Sequence, residues 1–413
     1  MAKLIISSVL LILIVGCENS SNAVVTKASL GELLYSDTNL SLNRTQSCAT
    51  CHVPDNGFAD PRSNDASINN AASAGSLGDN GTSIGDRNAP TAAYAAFIPE
   101  FSHGSRERIG DQGDNGDYTG YMGGQFWDGR ESTLAGQAGG PPTNPDEMGM
   151  GSKSDTVDRI QENSEYVTMF NKLYGDTIFD DVDSAYDAMA QSIAEFEKTD
   201  EFSPFDSKYD RSLTGDYTYP VISKASVGKT LFFSSDFTCA SCHQLKERGQ
   251  QQELFTGFEY HNLGVPENTG LRGVNGATGP DNGLFNNAEV NSDVDQKGKF
   301  KTPTLRNVAV TAPYMHNGVF ESLRGVLFFY QHAKMRANDI DNGTDLNDII
   351  NPETGVEFLE AEVTDNINHD LLVRSDSNLT PAKIEQLECF LISLTDQRYE
   401  SLLDQTKVAD CGL

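Results

Sequence analysis

The sequence predicts a mostly α chain: two helical units with long irregular loops around their helices. Three observations lead there. Apolar residues recur at helical spacing, as in Val157 and Ile160, then Met169, Phe170 and Leu173, then Val182, Ala185, Met189, Ile193 and Phe196. Each half of the chain carries a short helical segment followed by the same five-residue motif, which marks an internal duplication. The 37 glycines gather with Asn and Asp in the stretches 53–90, 98–125, 261–300 and 338–378, where long irregular loops are expected to serve as functional lids or covers. At 413 residues and 38% hydrophobic content, the chain is long enough to bury two cores and is neither a disulfide mini-protein nor a disordered chain.

Lys3 precedes an apolar run, Leu4 to Val15, that is too short to span a bilayer and reads as a secretion signal. Its end, Ile14-Val15-Gly16-Cys17, resembles a bacterial lipobox. Residues 1–16 are therefore expected to be removed, with Cys17 lipid-modified, 17–26 a tether, and the rest facing an oxidising periplasm. The first unit, 27–200, opens with Leu30, Leu33 and Leu34 and contains the periodic segments above. Residues 201–220, rich in Asp, Ser, Pro and Tyr, read as a linker. The second unit, 221–400, opens with Val227, Leu231 and Phe232. Its closing helix starts at Thr380-Pro381, with Thr as N-cap and Pro at the first position, and runs into Ile384, Leu387, Leu391 and Leu394. Residues 401–413 form a tail.

Thirty basic residues against 60 acidic ones give a net charge of -30. Such a field repels polyanions, so nucleic acid is not an expected partner; a basic protein would be attracted.

Of the seven cysteines, four sit in Cys48-Ala-Thr-Cys51-His52 and Cys239-Ala-Ser-Cys242-His243. CxxCH is the spacing of covalent c-type haem: two thiols form thioethers with the vinyl groups, and the adjacent His reaches the iron. A structural zinc site would bring its CxxC pairs close together in sequence and would not need a His after each, whereas these pairs lie in opposite halves. A thioredoxin-like pair would sit in a βαβ unit, and neither neighbourhood reads that way. Cys389 and Cys411 read as a disulfide tying the last helix to the tail, with two separate thiols as the alternative.

The two haem motifs, Phe126-Trp127-Asp128-Gly129-Arg130 between them, and Thr302-Pro303-Thr304-Leu305-Arg306-Asn307 running into Thr311-Ala312-Pro313-Tyr314-Met315-His316-Asn317-Gly318 resemble the bacterial di-haem cytochrome c peroxidase family, which includes MauG-type enzymes. The likeness spans most of residues 27–400 and implies two cytochrome c-like haem domains. It makes His52 the proximal ligand of the peroxide-reactive haem 1 and His243 that of the electron-transfer haem 2, with Trp127 between them. It places Glu147 as the distal acid and base, Gln137 as its companion, and a calcium ion on Asn88, Thr311 and Pro313. Asp146 is the nearest rival to Glu147.

Three departures matter. Ordinary members carry a distal His in the loop after the first motif, but residues 53–102 contain none, so haem 1 is expected to be open; His103, in an apparent inserted loop at 98–122, is the only nearby substitute. Where ordinary members place the Met ligand of haem 2, this chain has Tyr330, as MauG-type enzymes do, with Met315 and Met335 as alternatives. The surface Trp through which MauG-type enzymes oxidise a partner protein is replaced by Phe237. The expected function is reduction of hydrogen peroxide with electrons from a small redox protein, a cytochrome c or cupredoxin. The rivals are a MauG-like oxidase of a partner protein and a non-catalytic haem electron carrier.

Overall fold

The fold is described from a computed structural model over residues 24–64, 74–109, 116–342, 350–351, 354–369 and 379–413; the signal segment and Cys17 lie outside these, as does the side chain of Met335. The architecture is mostly helical. The first unit contains α1 (Lys27–Ser36), α2 (Cys48–Cys51), α3 (Leu134–Ala138), α4 (Lys153–Gln161), α5 (Ser164–Tyr174) and α6 (Val182–Glu197). After α7 (Lys208–Thr214), the second unit contains α8 (Lys224–Phe232), α9 (Cys239–Cys242), α10 (Thr269–Asn275), α11 (Leu323–Asn342) and α12 (Pro381–Ile392), and a last helix spans Gln405–Cys411.

The duplication is visible in packing. In the first unit α1 crosses α6, and a Cβ placed on Gly31 would lie 1.9 Å from the Ser192 carbonyl oxygen. In the second unit α8 crosses α12, and a Cβ on Gly228 would lie 1.8 Å from the Gln386 carbonyl oxygen. Only glycine allows the backbones to approach so closely. Each crossing anchors one core: Leu30, Leu34, Ile160, Phe170, Met189 and Ile193 in the first, and Phe232, Phe255, Ile384, Leu387 and Phe390 in the second. Thr26 caps α1 through a capping box, and the Thr380 hydroxyl accepts from the Lys383 N–H to start α12.

Residues 201–220 join the two units as a packed segment: Phe202 is buried in the first core and Tyr209 of α7 in the second. The adjacent Asp210 receives both guanidinium nitrogens of the fully buried Arg306 at 2.8 Å, so this segment is stitched down by a bidentate ion pair. The stretch 98–122 contains a hairpin, β1 (Ser102–Arg106) paired antiparallel with β2 (Tyr118–Met122). Its Gly- and Ser-containing strands lack apolar alternation, which is why the sequence reads as loop. Cys389 and Cys411 form a disulfide, with a Cα–Cα distance of 5.2 Å, that ties the last helix to α12.

Candidate functional site

Each CxxC forms a single helical turn, and at the second motif the two thiols and the following His line one cavity. Ser47 caps α2 with Thr50 in a capping box. The Nδ1 atom of His52 lies 3.3 Å from the Phe58 carbonyl and that of His243 lies 3.0 Å from the Phe255 carbonyl. In both rings the carbonyl fixes a proton on Nδ1 and leaves Nε2 as the ligand atom. Burial favours the neutral imidazoles, lowering the pKa of His52 and taking that of His243 down to about 4. Cys48, Cys51, Cys239 and Cys242 are unpaired with one another. Free thiols and neutral imidazoles at both motifs, with an adjoining cavity at the second, suit covalent haem.

The second motif opens onto a cavity of about 250 Å³ walled by Cys239, Cys242, His243, Met315, Leu327 and Tyr330. Tyr330 projects from α11 and lines the same cavity as the second motif. Burial raises its phenol pKa, so the neutral phenol is the resting form unless a cation stands beside it, as a ferric iron would. Met315 lines the same wall. A second cavity, about 140 Å³, holds Asn88, Phe126, Thr311, Pro313 and Lys301, and Trp127 lines both cavities. The Trp127 indole N–H donates to the Asn88 carbonyl at 2.8 Å. That bond fixes the ring between the two spaces.

Asn88 is buried, and its carboxamide nitrogen lies 2.7 Å from the Pro313 carbonyl. With the amide turned end for end, its oxygen joins the Pro313 carbonyl beside Thr311, an all-oxygen set of the kind calcium takes.

Glu147 is half-buried in the loop after α3. Burial raises its pKa against the opposing pull of Arg130 and Asn144, and its charge is felt at both Cys48 and Cys51. It is therefore within electrostatic reach of the first motif. Asp146 is exposed, and Gln137 is half-buried on α3. His103 does not join this group: its ring packs edge-on against Tyr121, at 5.0 Å, on a hairpin whose Arg106 is bonded to the second motif.

A family model described as di-haem cytochrome c peroxidase matches residues 25–218. The methylamine utilization protein MauG of Paracoccus denitrificans is 41% identical over 385 residues, covering 92% of each chain. The chain belongs to the di-haem cytochrome c peroxidase family. As such an enzyme it carries two c-type haems. Another member, the cytochrome c peroxidase Ccp of Escherichia coli, is 31% identical over 325 residues, 76% of this chain and 56% of that one. The diheme peroxidase BthA from Burkholderia thailandensis shares the fold, with a TM-score of 0.74 at 26% identity over 92% of this chain and 88% of that one.

Sequence reasoning missed several buried ionisable groups of this peroxidase. Glu197 on α6 is raised to about 8 by burial, and its charge acts on Cys48. Lys301, lowered to about 7 by burial, lines both cavities and donates to the Gly124 carbonyl. His316 stacks on Phe300 at 3.5 Å. Glu197 and Lys301 belong to no short motif, His316 sits in one without a role assigned to it, and only the fold reveals that these residues are buried.

Proposed function

We propose that the protein reduces hydrogen peroxide to water, taking two electrons one at a time from a small redox protein, a cytochrome c or cupredoxin. Glu147 carries this reading: a half-buried carboxyl, raised by burial, whose charge reaches the thiols of the first haem motif. A group that must accept a proton from one peroxide oxygen and return it to the other works best with a pKa shifted toward neutrality. The bound haems supply an iron that takes up peroxide and a second iron that relays electrons. Glu147 moves the proton, Gln137 orients the oxygen, and Trp127, which lines the cavity of the second motif, relays electrons between the haems. His52 and His243 would hold the irons, with Tyr330 as a further residue able to ligate haem 2, and Asn88, Thr311 and Pro313 would hold calcium beside Trp127's acceptor carbonyl. With no His in residues 53–102, the far face of haem 1 stays open. The acidic surface draws in a basic donor in the periplasm, where the protein is tethered by a lipid on Cys17.

A second reading, oxidation of a partner protein, is favoured by the likeness to MauG. Phe237 weighs against it. Phe is hard to oxidise, and the Lys383 ammonium lies 5.0 Å above its ring, which disfavours positive charge there further. Steady-state assays of the purified holoprotein with peroxide and reduced cytochrome c or cupredoxin test the reading. Catalytic turnover with either donor supports it; peroxide consumption with neither donor, but with modification of a partner protein, replaces it with the second.

A further inference from the structure

The hairpin β1–β2 leaves the first unit and lands on the second haem motif. Arg106 is its point of contact. One guanidinium nitrogen donates to the Gln244 carbonyl at 3.0 Å, the second to the Ser241 carbonyl at 3.1 Å, and Nε donates to Glu259 at 2.9 Å. Ser241 and Gln244 flank Cys242 and His243, so one side chain grips the haem-binding turn on both sides. Gly257 makes room for it: a Cβ there would meet the guanidinium at 2.4 Å, and the Gly257 N–H closes the turn on the Cys242 carbonyl at 2.6 Å. Arg108 reaches the same carboxylate, at 2.7 Å, and His261 lies 2.8 Å from it. Glu259 is fully buried, and the hydrogen bonds of His261 and Arg108 overcome its desolvation to hold its carboxyl down to about 2. Cys242, Glu259 and His261 place their polar atoms within 4.8 Å of one another. Because Cys242 is committed to a haem thioether, this trio is no metal site. It brings a cluster of two arginines and one carboxylate to the rim of haem 2.

We propose that Arg106 is a positioning residue for haem 2: it clamps the Cys239–His243 turn from the first unit and, with Arg108, sets positive charge beside the haem that favours its ferrous state. One-electron reduction of ferric haem removes one positive charge, so nearby cations stabilise the product relative to the reactant. The low-dielectric surroundings of a buried cluster strengthen the effect. A fork that meets two carbonyls and a carboxylate at once is the geometry for which guanidinium is suited and ammonium is not. The proposal rests on haem at the second motif and not on the ligation by Tyr330 or the identity of the donor.

The test is spectroelectrochemical titration of the holoprotein, with haem 1 as internal reference. Arg106→Gln should shift the haem 2 equilibrium at least threefold toward ferric, about 30 mV at ~59 mV per decade, leaving haem 1 in place. Arg106→Lys, which keeps the charge, should restore most of the potential while lowering the thermal midpoint as the clamp is lost. An unchanged haem 2 potential in a fully loaded Arg106→Gln protein overturns the proposal, and so does an equal shift of both haems. Should Arg106→Gln fail to retain haem 2, Arg108→Gln, which leaves the Ser241 and Gln244 contacts in place, decides: the same downward shift supports the proposal and no shift overturns it.

Discussion

Replacing Glu147 by Gln separates proton transfer from structure at this position. The loop is held by its backbone: the Glu147 N–H donates to the Asn144 carbonyl at 3.1 Å, and the Glu147 carbonyl accepts from the Asp79 N–H at 2.7 Å. Neither bond uses the carboxyl. An amide of the same shape should therefore fold identically but cannot shuttle a proton. The loss expected for a missing general acid and base is ~10²–10⁴ in turnover, which is about 3–5 kcal/mol of barrier at ~1.4 kcal/mol per decade. The pH dependence follows from the direction of the shift. Burial raises the folded pKa of Glu147 above the usual carboxylate range, so the base form, and with it turnover, should appear only as pH rises through that higher value; Glu147→Gln should erase this acid limb. Stability moves the other way. A raised carboxyl contributes stability below its unfolded pKa and loses it as pH rises through the folded one. The Gln variant should therefore match the wild type near pH 4 and equal or exceed it at pH 7. Stopped-flow peroxide turnover and thermal melts at the two pH values check both arms. Unchanged turnover would transfer the role to Asp146, and a lower melting temperature at pH 7 would show that the carboxylate is structural.

Tyr330→Met exchanges an anionic oxygen donor for a soft, neutral thioether, so the haem 2 potential should rise by well over 59 mV, the tenfold step of a one-electron couple, with a new near-infrared charge-transfer band; no response would leave Tyr330 as a wall of the cavity. Gly228→Val forces a side chain onto the Gln386 carbonyl and should cost about 3 kcal/mol, read as a lower urea midpoint of the second unit. Cys389→Ser with Cys411→Ser opens a loop of sequence separation 22 and should cost about 3 kcal/mol in the oxidised protein; reductant should lower the wild-type melting temperature and leave the double variant unmoved.

The helices were legible where the apolar period is clear, as in α4, α5 and α6, and where a cap joins it, at the Thr380 start of α12. The duplication was legible too, but through the wrong residues. Leu33, one of the three leucines that suggested it, is 42% exposed, while the repeated structural device is the glycine pair at the helix crossings. A glycine carries no apolar signal, so period alone passes over it. The haem motifs and Tyr330 were read from local spacing and resemblance. The Arg106–Glu259 and Arg306–Asp210 pairs were not, because the partners in each lie far apart in sequence and no local rule links them. The packing of segment 201–220 was hidden for a related reason: its polar composition gives no sign that Phe202 and Tyr209 are sunk into opposite cores.

The straps between the units run both ways. The first unit sends its hairpin onto the second motif. From the far end of the chain, the Tyr399 hydroxyl donates to the Pro54 carbonyl at 2.8 Å and Arg398 to the same oxygen at 3.1 Å, two residues beyond His52. Tyr94 of the first unit completes the exchange by donating to Asp396 at 2.7 Å. Each haem loop is thus braced by sequence belonging to the other half. An excised N-terminal half would keep its glycine crossing and its own core yet lose the brace behind its first haem, and trimming a few residues after 395 would loosen a motif more than three hundred positions upstream. The two units repeat one helix crossing, and the hydrogen bonds that steady each haem motif cross from one unit to the other.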